Sequence, residues 1–413
     1  MDNLTHTLVG LIAGESLAHS GLPQSGRLSP QVRRVFLITL TTVASNLPDL
    51  DLLVSYQGFT RSKLDYMLAH RGYTHTMLGC VVLAAALYGL AELWMHWRKL
   101  SPTPRERSVL AAATLLGTAL HLSMDALNSY GVHPFWPLEN RWYYGDSVFI
   151  VEPLYWVCAA PLLFVQRSIG ARAFVALAIT AAVVLSALSG LVPLPLVIGL
   201  AALAAALLAF GRQASSPAST LASLAGVVAV TAGFLISGQV AAREARSVAG
   251  TGQLLDHVLT PMPVNPLCWD LLLLEQENGI YRTRHALMSI APGVVRAAQC
   301  PRRVSEASAT TARFTPVAGA DSASIHWLGE REIPVDELAM LAANDCTAAA
   351  LLRFARAPFT ASMAGARVIG DLRFDREPEL GFAELPLSGG NVPHGGCKPA
   401  APWTPPRAQL LNR

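Results

Sequence analysis

Residues 109–127 have the sequence VLAAATLLGTALHLSMDAL, an apolar stretch long enough to form a membrane-spanning helix. Two ionisable residues, His121 and Asp125, interrupt this stretch. Their spacing places both side chains on one face of the helix, about a turn apart, where an imidazole and a carboxylate can bind the same cation. Because ionisable groups inside a membrane are costly, the pair predicts a functional site.

The composition of the whole chain is typical of a membrane protein. Hydrophobic residues make up 52% of the 413 residues, and charged residues only 14%. Several apolar stretches approach the roughly 20 residues that a helix needs to cross a bilayer. We predict spans at about 76–97, 109–127, 148–165, 171–189, 192–210 and 222–240.

The chain changes character after the last apolar stretch. From Ala241 onward, charges and prolines return over about 170 residues, enough to bury a separate core. Apolar and polar residues alternate at 366–374, which predicts strands, and the pattern at 334–356 predicts helix. We therefore expect a soluble α+β domain. The predicted fold class is therefore a mainly α polytopic membrane protein with a C-terminal soluble α+β domain. Its predicted parts are a membrane-embedded domain at 1–165, additional transmembrane helices at 166–242 and the soluble domain at 243–413.

Cysteines and loop arginines bear on the compartment. Cys268, Cys300, Cys346 and Cys397 lie in the soluble part, where they permit two disulfides in an oxidising compartment. Basic residues crowd the loops near 98–107, 167–172 and 212, which predicts that these loops face the cytoplasm and the soluble domain faces outward. The opposite orientation is favoured by further basic residues if they lie in exposed loops, namely Arg27, Arg33, Arg34, Arg61, Lys63 and Arg71. An additional membrane-embedded helix before residue 60 would also invert the orientation. No basic cluster is interleaved with aromatic residues, so we expect no nucleic-acid partner.

Four polar segments supply candidate metal ligands, and the first two lie near the amino terminus. His6 opens a helix in which Gly10, Ala13 and Gly14 share a face and permit close approach of a neighbouring helix. Asn46-Leu47-Pro48-Asp49-Leu50-Asp51 ends an apolar run, and its proline can open a turn that presents both aspartates. These aspartates either bind a metal or simply end the helix in an Asx turn.

The other two segments flank the next apolar spans. His70-Arg71-Gly72-Tyr73-Thr74-His75-Thr76 places two histidines around a turn, with Gly72 for an unusual backbone angle and Thr74 as a helix cap. The fourth segment begins with His121 and Asp125, whose alternative role is a buried hydrogen bond between helices. The sequence that follows adds weaker candidates, namely His133, Asp146 and Glu152.

The candidate ligands are all imidazoles and carboxylates. This donor set suits zinc, manganese or iron, of which zinc is the usual hydrolytic choice. Enough ligands are present for two metals bridged by one carboxylate. The set comprises His6, Asp49, Asp51, His70, His75, His121 and Asp125.

In this order the segments resemble the motifs of the inner-membrane metal-dependent hydrolase family: an amino-terminal His, Leu-Pro-Asp-x-Asp, His-Arg-Gly-aromatic-Thr-His and His-x-x-x-Asp. The resemblance covers roughly residues 1–165 and implies a multi-pass protein of the bacterial cytoplasmic membrane. The family is distantly similar to zinc-dependent phospholipase C and P1-type nucleases, which implies a helical bundle of that kind. That similarity implies a bridging role for Asp125 and the ligand set His6, Asp49, His70, His121 and Asp125. Residues 1–165 contain no second His-x-x-x-Asp or His-x-x-x-Glu pair of the kind that those enzymes have.

We therefore expect a membrane-bound hydrolase in which one to three divalent metals activate water toward an ester or phosphoester. The expected partners are a small-molecule or lipid-like substrate and the surrounding membrane lipids. Asp51 and His75 would orient ligands or act as a general base. Arg71 and Arg141 would bind an anionic substrate group.

Two other functions fit the same residues. Intramembrane His and Asp also form ion relays, so the chain could be a metal or ion transporter, although no internal repeat is evident. It could also be a membrane-anchored interaction protein whose hydrolytic site is vestigial and whose soluble domain binds a partner.

Overall fold

The computed structural model describes residues 1–20, 26–53, 63–302, 314–317, 319–363, 365–375, 379–387, 389, 397 and 401–411. A helical part up to residue 247 precedes a part built mainly of antiparallel strands. We call these the helical core (residues 1–247) and the tail domain (residues 253–411). The predicted fold class, a mainly α membrane protein followed by an α+β domain, is confirmed.

Two antiparallel helices begin the helical core: α1 spans Asn3–His19 and α2 spans Pro30–Ala44. The predicted close approach at the small residues of α1 is confirmed. A Cβ atom at Gly14 would lie 2.7 Å from the Cα atom of Ile38, and one at Gly10 would collide with Ser45. Only glycine permits this packing, which brings the beginning of α1 beside the end of α2. The short helices α3 (Asp51–Leu53) and α4 (Lys63–Ala69) follow.

The remaining helices of the core differ in length. They are α5 (Met77–Trp97), α6 (Pro104–Asp125), α7 (Pro153–Cys158), α8 (Ile169–Leu188), α9 (Leu194–Gln213) and α10 (Ser216–Ser247). Among the described residues, all of these except α7 are long and apolar enough to cross a membrane. The prediction of spans is thus confirmed for five stretches and wrong for 148–165.

Residues 148–165 are apolar because they are buried in protein. They form α7 and a 3-10 helix, Ala160–Phe164, each with a proline in its first turn, and they belong to the largest apolar cluster of the core. The segment nevertheless runs from one end of the core to the other. Glu152, near the start of this segment, contacts the tail domain. Gln166, just after its end, donates to Glu15 (Nε2 to Oε1, 3.0 Å) near the end of α1.

The end of the core that contains Glu15 is called the far end here, and the end that contains His6 is called the site end. Several loops meet at the far end. Arg34 pairs with Glu15, Arg172 donates to the Gln166 carbonyl (2.7 Å), and the backbone N–H of Arg27 donates to Glu106 at the start of α6 (3.1 Å). The α5–α6 and α9–α10 connections also lie there, because α6 ends at the site end and α10 leads to the tail domain.

Helix α6 is well defined at its start and closely packed along its length. Thr103 and Glu106 form a capping box around Pro104. A Cβ atom at Gly117 would lie 2.5 Å from the Cβ atom of Ala44, so only glycine lets α2 pack this closely against α6. This contact places the loop after α2 beside the last turn of α6.

The tail domain contains two antiparallel sheets. Strands β1 (Gln253–Met262), β2 (Asn265–Glu277), β3 (Ile280–Ser289) and β4 (Ile325–Pro334) pair in chain order. Helices α11 (Val335–Asn344) and α12 (Cys346–Leu351) precede the second sheet, formed by β5 (Pro358–Met363), β6 (Ala366–Asp371) and β7 (Glu384–Pro386). The strand predicted in 366–374 and the helix predicted in 334–356 are thus confirmed. Disulfides join Cys268 to Cys300 and Cys346 to Cys397.

Buried arginines attach the tail domain to the site end of the core. Arg373 donates from Nη1 to the carbonyl oxygens of Ser129 (2.7 Å) and Tyr130 (3.2 Å). Arg356 donates from Nη1 to Asp146 Oδ1 (2.8 Å) and from Nε to Asp256 Oδ2 (2.8 Å). A buried charge that keeps its partners is tolerated, whereas one that loses a partner is strongly destabilising, so these pairs fix the docking geometry.

Glu152 provides a further connection between the two parts. Its carboxylate accepts the backbone N–H of Leu154 in α7 and that of Val264 (Oε2, 3.1 Å) in the β1–β2 turn. Burial raises the pKa of Glu152 to about 8, against the opposing effect of these two N–H groups.

The raised pKa of Glu152 predicts a pH-dependent stability. The folded protein binds the Glu152 proton more tightly than the unfolded chain does, so this contribution to stability is complete below 4.5 and is lost as pH rises to about 8. We expect the melting temperature to fall over this range in the wild type and to fall less in Glu152→Gln. Thermal unfolding against pH measures this effect, with Glu139→Gln at an exposed position as control. If the melting temperatures of wild type and Glu152→Gln changed with pH in parallel, Glu152 would not be the source of this pH dependence.

Candidate metal centre

Four side chains from three separate segments converge at the site end of the core. His121 and Asp125 extend from the last turns of α6, Asp49 from the 3-10 helix after α2, and His75 from the turn before α5. One ligand atom from each lies within 4.8 Å of the others. His75 Nε2 lies 3.3 Å from Asp49 Oδ1 and 3.2 Å from Asp125 Oδ2, and His121 Nε2 lies 3.6 and 3.5 Å from the same oxygens. We call these four residues the primary cluster.

The hydrogen bonds of the two histidines direct their Nε2 atoms into the primary cluster. His121 Nδ1 lies 2.8 Å from the carbonyl oxygen of Ser45, which can only accept, so Nδ1 carries the proton. His75 Nδ1 lies 3.3 Å from Asp51 Oδ2 and 3.0 Å from Thr74 Oγ1. Each ring is thus held through Nδ1, as is usual for histidines that bind a metal through the other nitrogen.

Asp51 orients two histidines at once. Its Oδ1 lies 3.1 Å from His70 Nδ1, and its Oδ2 accepts from the Arg71 backbone N–H and the Thr74 hydroxyl, both at 2.9 Å. Asp49, Asp51 and His70 also form a second group with metal-ligand spacing, and Asp49 is common to both groups. In the described structure the shared carboxylate is therefore Asp49, whereas the resemblance implied Asp125 as the bridge.

Residues 70–76 achieve this arrangement partly as predicted. Gly72 is required there, since a Cβ atom would lie 2.5 Å from the carbonyl oxygen of Ala69, and Arg71 adopts the left-handed conformation, with φ of 58°. The cap of α5 is Thr76, whose hydroxyl accepts the Gly79 N–H at 2.8 Å, and not Thr74. Left-handed backbone at a residue with a Cβ costs free energy, and here the Asp51 carboxylate and the buried Arg71 side chain hold it.

The other oxygen of Asp125 faces positive and polar groups. Arg71 Nη2 donates to Asp125 Oδ1 at 2.9 Å, His6 Nε2 lies 3.3 Å from the same oxygen, and the Met1 amino group contacts it. The His6 ring also stacks on His121, with 3.8 Å between ring centroids. His6 thus lies at the edge of the primary cluster, on the Oδ1 side of Asp125.

The primary cluster fits a divalent cation. With both Nδ1 atoms protonated, the Nε2 lone pairs of His75 and His121 face each other at 3.0 Å, so a cation or a proton must lie between them. Asp125 Oδ2 and both ring nitrogens of His6 are buried without a hydrogen-bond partner among the described residues. Two imidazoles with two carboxylates form a donor set that zinc accepts.

The pKa values of Asp49 and His75, which lie in the loops of the site end, agree with this fit. Burial acts to raise the pKa of Asp49, but the hydrogen bond from His75 and the nearby histidine charges lower it to about 2. Burial acts to lower the pKa of His75, but the adjacent carboxylates of Asp125, Asp49 and Asp51 raise it to about 10. The cluster without metal therefore binds a positive charge in the position where a cation would lie.

The structure does not bring four of the predicted site residues to the primary cluster. Asp146 and Glu152 are bonded to Arg356 and Val264 of the tail domain, and the His133 ring stacks on Trp403 at 3.7 Å. These residues secure domain docking. Arg141 is 73% exposed and pairs with Glu139.

A cavity of about 400 Å³ adjoins the metal centre and contains aromatic residues that sequence reasoning missed. Asp49, His70 and Arg71 line one part of it. Tyr66 and Tyr130 of the core and Phe374 and Phe382 of the tail domain line another part. The only available signal was the aromatic content of the loops, which does not reveal that two distant segments meet.

Comparisons with known proteins match the part of the chain that contains the four motifs. A family model for YdjM inner membrane proteins matches residues 1–192. The uncharacterized protein YfhP of Bacillus subtilis (strain 168) is 26% identical over 152 residues, which cover 34% of this chain and 39% of that relative. No solved structure matches the chain, so the distant similarity to phospholipase C stays a prediction.

The converging Nε2 atoms predict that single histidine substitutions release the metal. We expect purified protein to hold about one or two divalent ions per chain, since two ligand groups share Asp49. His75→Ala and His121→Ala should lose most of this metal because each removes a ligand from the primary cluster. Elemental analysis of folded protein measures the loss, and His96→Ala, at an exposed position in α5, is the matched control. Equal metal content in all three variants would exclude the proposed centre.

Proposed function

We propose, from the match of residues 1–192 to the model of the YdjM inner membrane protein family, that the protein is a membrane-bound, metal-dependent hydrolase of ester or phosphoester bonds. The observation that carries the proposal is the pair of Nε2 atoms of His75 and His121, facing each other at 3.0 Å between two carboxylates. Asp49 also lines the adjoining cavity, which is where we propose that the substrate binds.

The ligands we propose are Asp49, His75, His121 and Asp125, with His70 and Asp51 completing a second position through Asp49. Zinc is the ion we propose, because the donors are imidazoles and carboxylates without thiolate. When bound, such a cation lowers the pKa of a water molecule and polarises the substrate oxygen. The carbonyl oxygen of Ser45 orients the His121 ring, and the carboxylate of Asp51 orients the His75 ring, so that both Nε2 atoms face the cation position.

The proposed reaction is hydrolysis. The oxygen of water forms a bond to the phosphorus or acyl carbon while the bond from that atom to the leaving alcohol breaks, and one proton of the water ends on the alcohol oxygen. Where only the primary cluster is occupied, His70 can relay this proton, because it lines the cavity and Asp51 holds its Nδ1 at 3.1 Å.

Arg71 has two proposed roles at the site. Its Nη1 donates to the carbonyl oxygens of Asp125 and Gly131, both at 3.2 Å, and its Nη2 to Asp125 Oδ1, so it positions that carboxylate. Arg71 also lines the cavity, where its charge favours an anionic substrate group. Arg141 is not needed for this proposal because it is exposed and paired with Glu139.

We also propose that the metal centre opens on the extracytoplasmic side of the membrane. The tail domain, which contains both disulfides, docks on the site end, and disulfides form in oxidising compartments. The basic loops gather at the far end. Of the basic residues that had favoured the opposite orientation, Arg27, Arg33 and Arg34 also lie there, Lys63 and Arg71 lie at the site end, and Arg61 lies outside the described residues. Basic loops favour the cytoplasm, so both observations support the same orientation. These residues are Arg27, Arg33, Arg34, Arg98, Lys99, Arg105, Arg107, Arg167, Arg172 and Arg212.

The orientation predicts which thiols are free in cells. The four tail cysteines should be oxidised, whereas Cys80 and Cys158 are buried as thiols in the core. After rapid alkylation of denatured membranes without reductant, mass spectrometry should find label on these two residues alone. A Cys268→Ser variant should expose one further thiol, at Cys300. Six labelled cysteines in the wild type would contradict an oxidising location.

The hydrolase proposal predicts metal-dependent turnover. Zinc-loaded full-length protein in detergent should hydrolyse bis(p-nitrophenyl) phosphate or a p-nitrophenyl acyl ester, lose activity to a chelator and regain it with zinc. His121→Ala should reduce the rate on the order of 10²-fold or more, since several kcal/mol of transition-state stabilisation depend on the cation. His96→Ala should match the wild type. Metal flux in liposomes, with no turnover of either ester, would instead favour the transporter.

A further inference from the structure

The cavity beside the metal centre is built by both parts of the protein. Asp49 and Arg71 line its polar part, next to the primary cluster. Phe374 and Phe382 of the tail domain line it together with side chains of the core. The cavity is therefore incomplete without the tail domain.

Five aromatic side chains of this cavity contact one another in a closed circuit. The ring centroids are separated by 5.3 Å between His70 and Tyr66, 5.4 Å between Tyr66 and Phe382, and 5.3 Å between Phe382 and Phe374. The circuit closes through Tyr130, at 5.8 Å from Phe374 and 5.5 Å from His70. We call these five residues the aromatic collar. His70 connects the collar directly to Asp51 and hence to the metal centre.

Charged contacts hold the two tail-domain rings in place. Arg373, adjacent to Phe374, is buried and bonded to the carbonyl oxygens of Ser129 and Tyr130. Lys63 of α4 donates through Nζ to the carbonyl oxygens of Leu380 (2.9 Å) and Gly381 (2.6 Å), adjacent to Phe382. The collar is thus a preorganised structure.

The charges around the collar select the kind of molecule that fits. The Arg71 guanidinium lies 4.6 Å from the centroid of the Tyr130 ring, so a cation already occupies that aromatic face and would repel a second one. The same guanidinium attracts an anionic group at the polar part of the cavity. Aromatic rings beyond it favour an apolar group.

Tyr130 adds a hydrogen-bond donor at the boundary between these parts. Its residue is 5% exposed, it lines the cavity, and its hydroxyl has no hydrogen-bond partner within the described ranges. A buried hydroxyl without a partner is costly, and a phosphoryl or carbonyl oxygen of a ligand would satisfy it.

We propose that the tail domain completes the substrate site, and that the substrate is an anionic amphiphile, a phosphoester with an apolar chain. Its phosphoryl group binds beside Arg71 and the Tyr130 hydroxyl, and its chain passes through the aromatic collar against Phe374 and Phe382. This proposal rests on the hydrolase function for the identity of the reacting group. Phe374 and Phe382 are specificity-determining residues within it.

The test is equilibrium binding of two probes, decyl phosphate and inorganic phosphate, to the full-length, metal-loaded protein in lipid nanodiscs. The wild type should bind decyl phosphate at least about 10-fold more tightly than inorganic phosphate, because each buried methylene adds to the affinity. Phe374→Ala and Phe382→Ala should each weaken decyl phosphate binding about 10-fold and leave inorganic phosphate binding unchanged. Calorimetry measures both constants.

Two further variants separate a binding role from a folding role. Phe314→Ala removes a half-buried phenylalanine elsewhere in the tail domain and should bind both probes as the wild type does. Phe382→Leu keeps an apolar side chain for docking and should show an intermediate loss. Equal affinity of the wild type for both probes, equal losses of both probes in the collar variants, or a loss in Phe314→Ala as large as theirs would each overturn the proposal.

The two proposals fail in different ways. Collar-dependent binding of decyl phosphate without turnover of any ester or phosphoester would overturn the hydrolase function and leave the amphiphile site standing. Turnover together with decyl phosphate binding that is the same in Phe374→Ala, Phe382→Ala and wild type would overturn the collar and leave the hydrolase standing.

Discussion

The buried carboxylate of Asp125 is the constraint on which the site end of this protein depends. A carboxylate at the end of an apolar helix, removed from water, must be matched by positive charge and hydrogen-bond donors. Arg71 satisfies Oδ1, while Oδ2 faces His75 and His121. Because these partners come from separate segments, neutralising one carboxylate draws together the turn before α5 and the end of α6. Asp49 then adds the loop after α2 to the same point.

The same constraint explains why Arg71 is buried in an unusual backbone conformation. Its guanidinium joins Asp125 to the loop that follows α6, and its backbone N–H binds Asp51, which in turn holds His70 and His75. The residue therefore connects the carboxylate, the loop and both histidines. The tail domain is attached to the same loop through Arg373, so the candidate metal ligands and domain docking depend on one segment. A domain bound so close to the centre has a direct influence on what can enter the cavity.

Much of the helical part could be predicted because length and polarity act locally. Spans α5, α6, α8, α9 and α10 follow from apolar runs that only a bilayer or a large core can accommodate. The same criterion failed for 148–165, since hydropathy does not distinguish burial in lipid from burial in protein. The direction in which each helix runs between the two ends of the core also had to come from the structure. The basic residues between α1 and α2 lie with the other basic loops only because the two helices pack antiparallel through Gly10 and Gly14.

The sequence by itself determined the membrane class of the protein and the chemistry of its centre, because residue type and helical spacing decide which side chains can share a cation. Only the tertiary structure decided their roles: His75 faces His121, Asp49 is common to both ligand groups, and Asp146 and Glu152 hold the tail domain. It also brought Phe374 and Phe382 beside the metal centre. Such contacts join residues far apart in the chain, and they follow from how whole domains pack together, which no local pattern records.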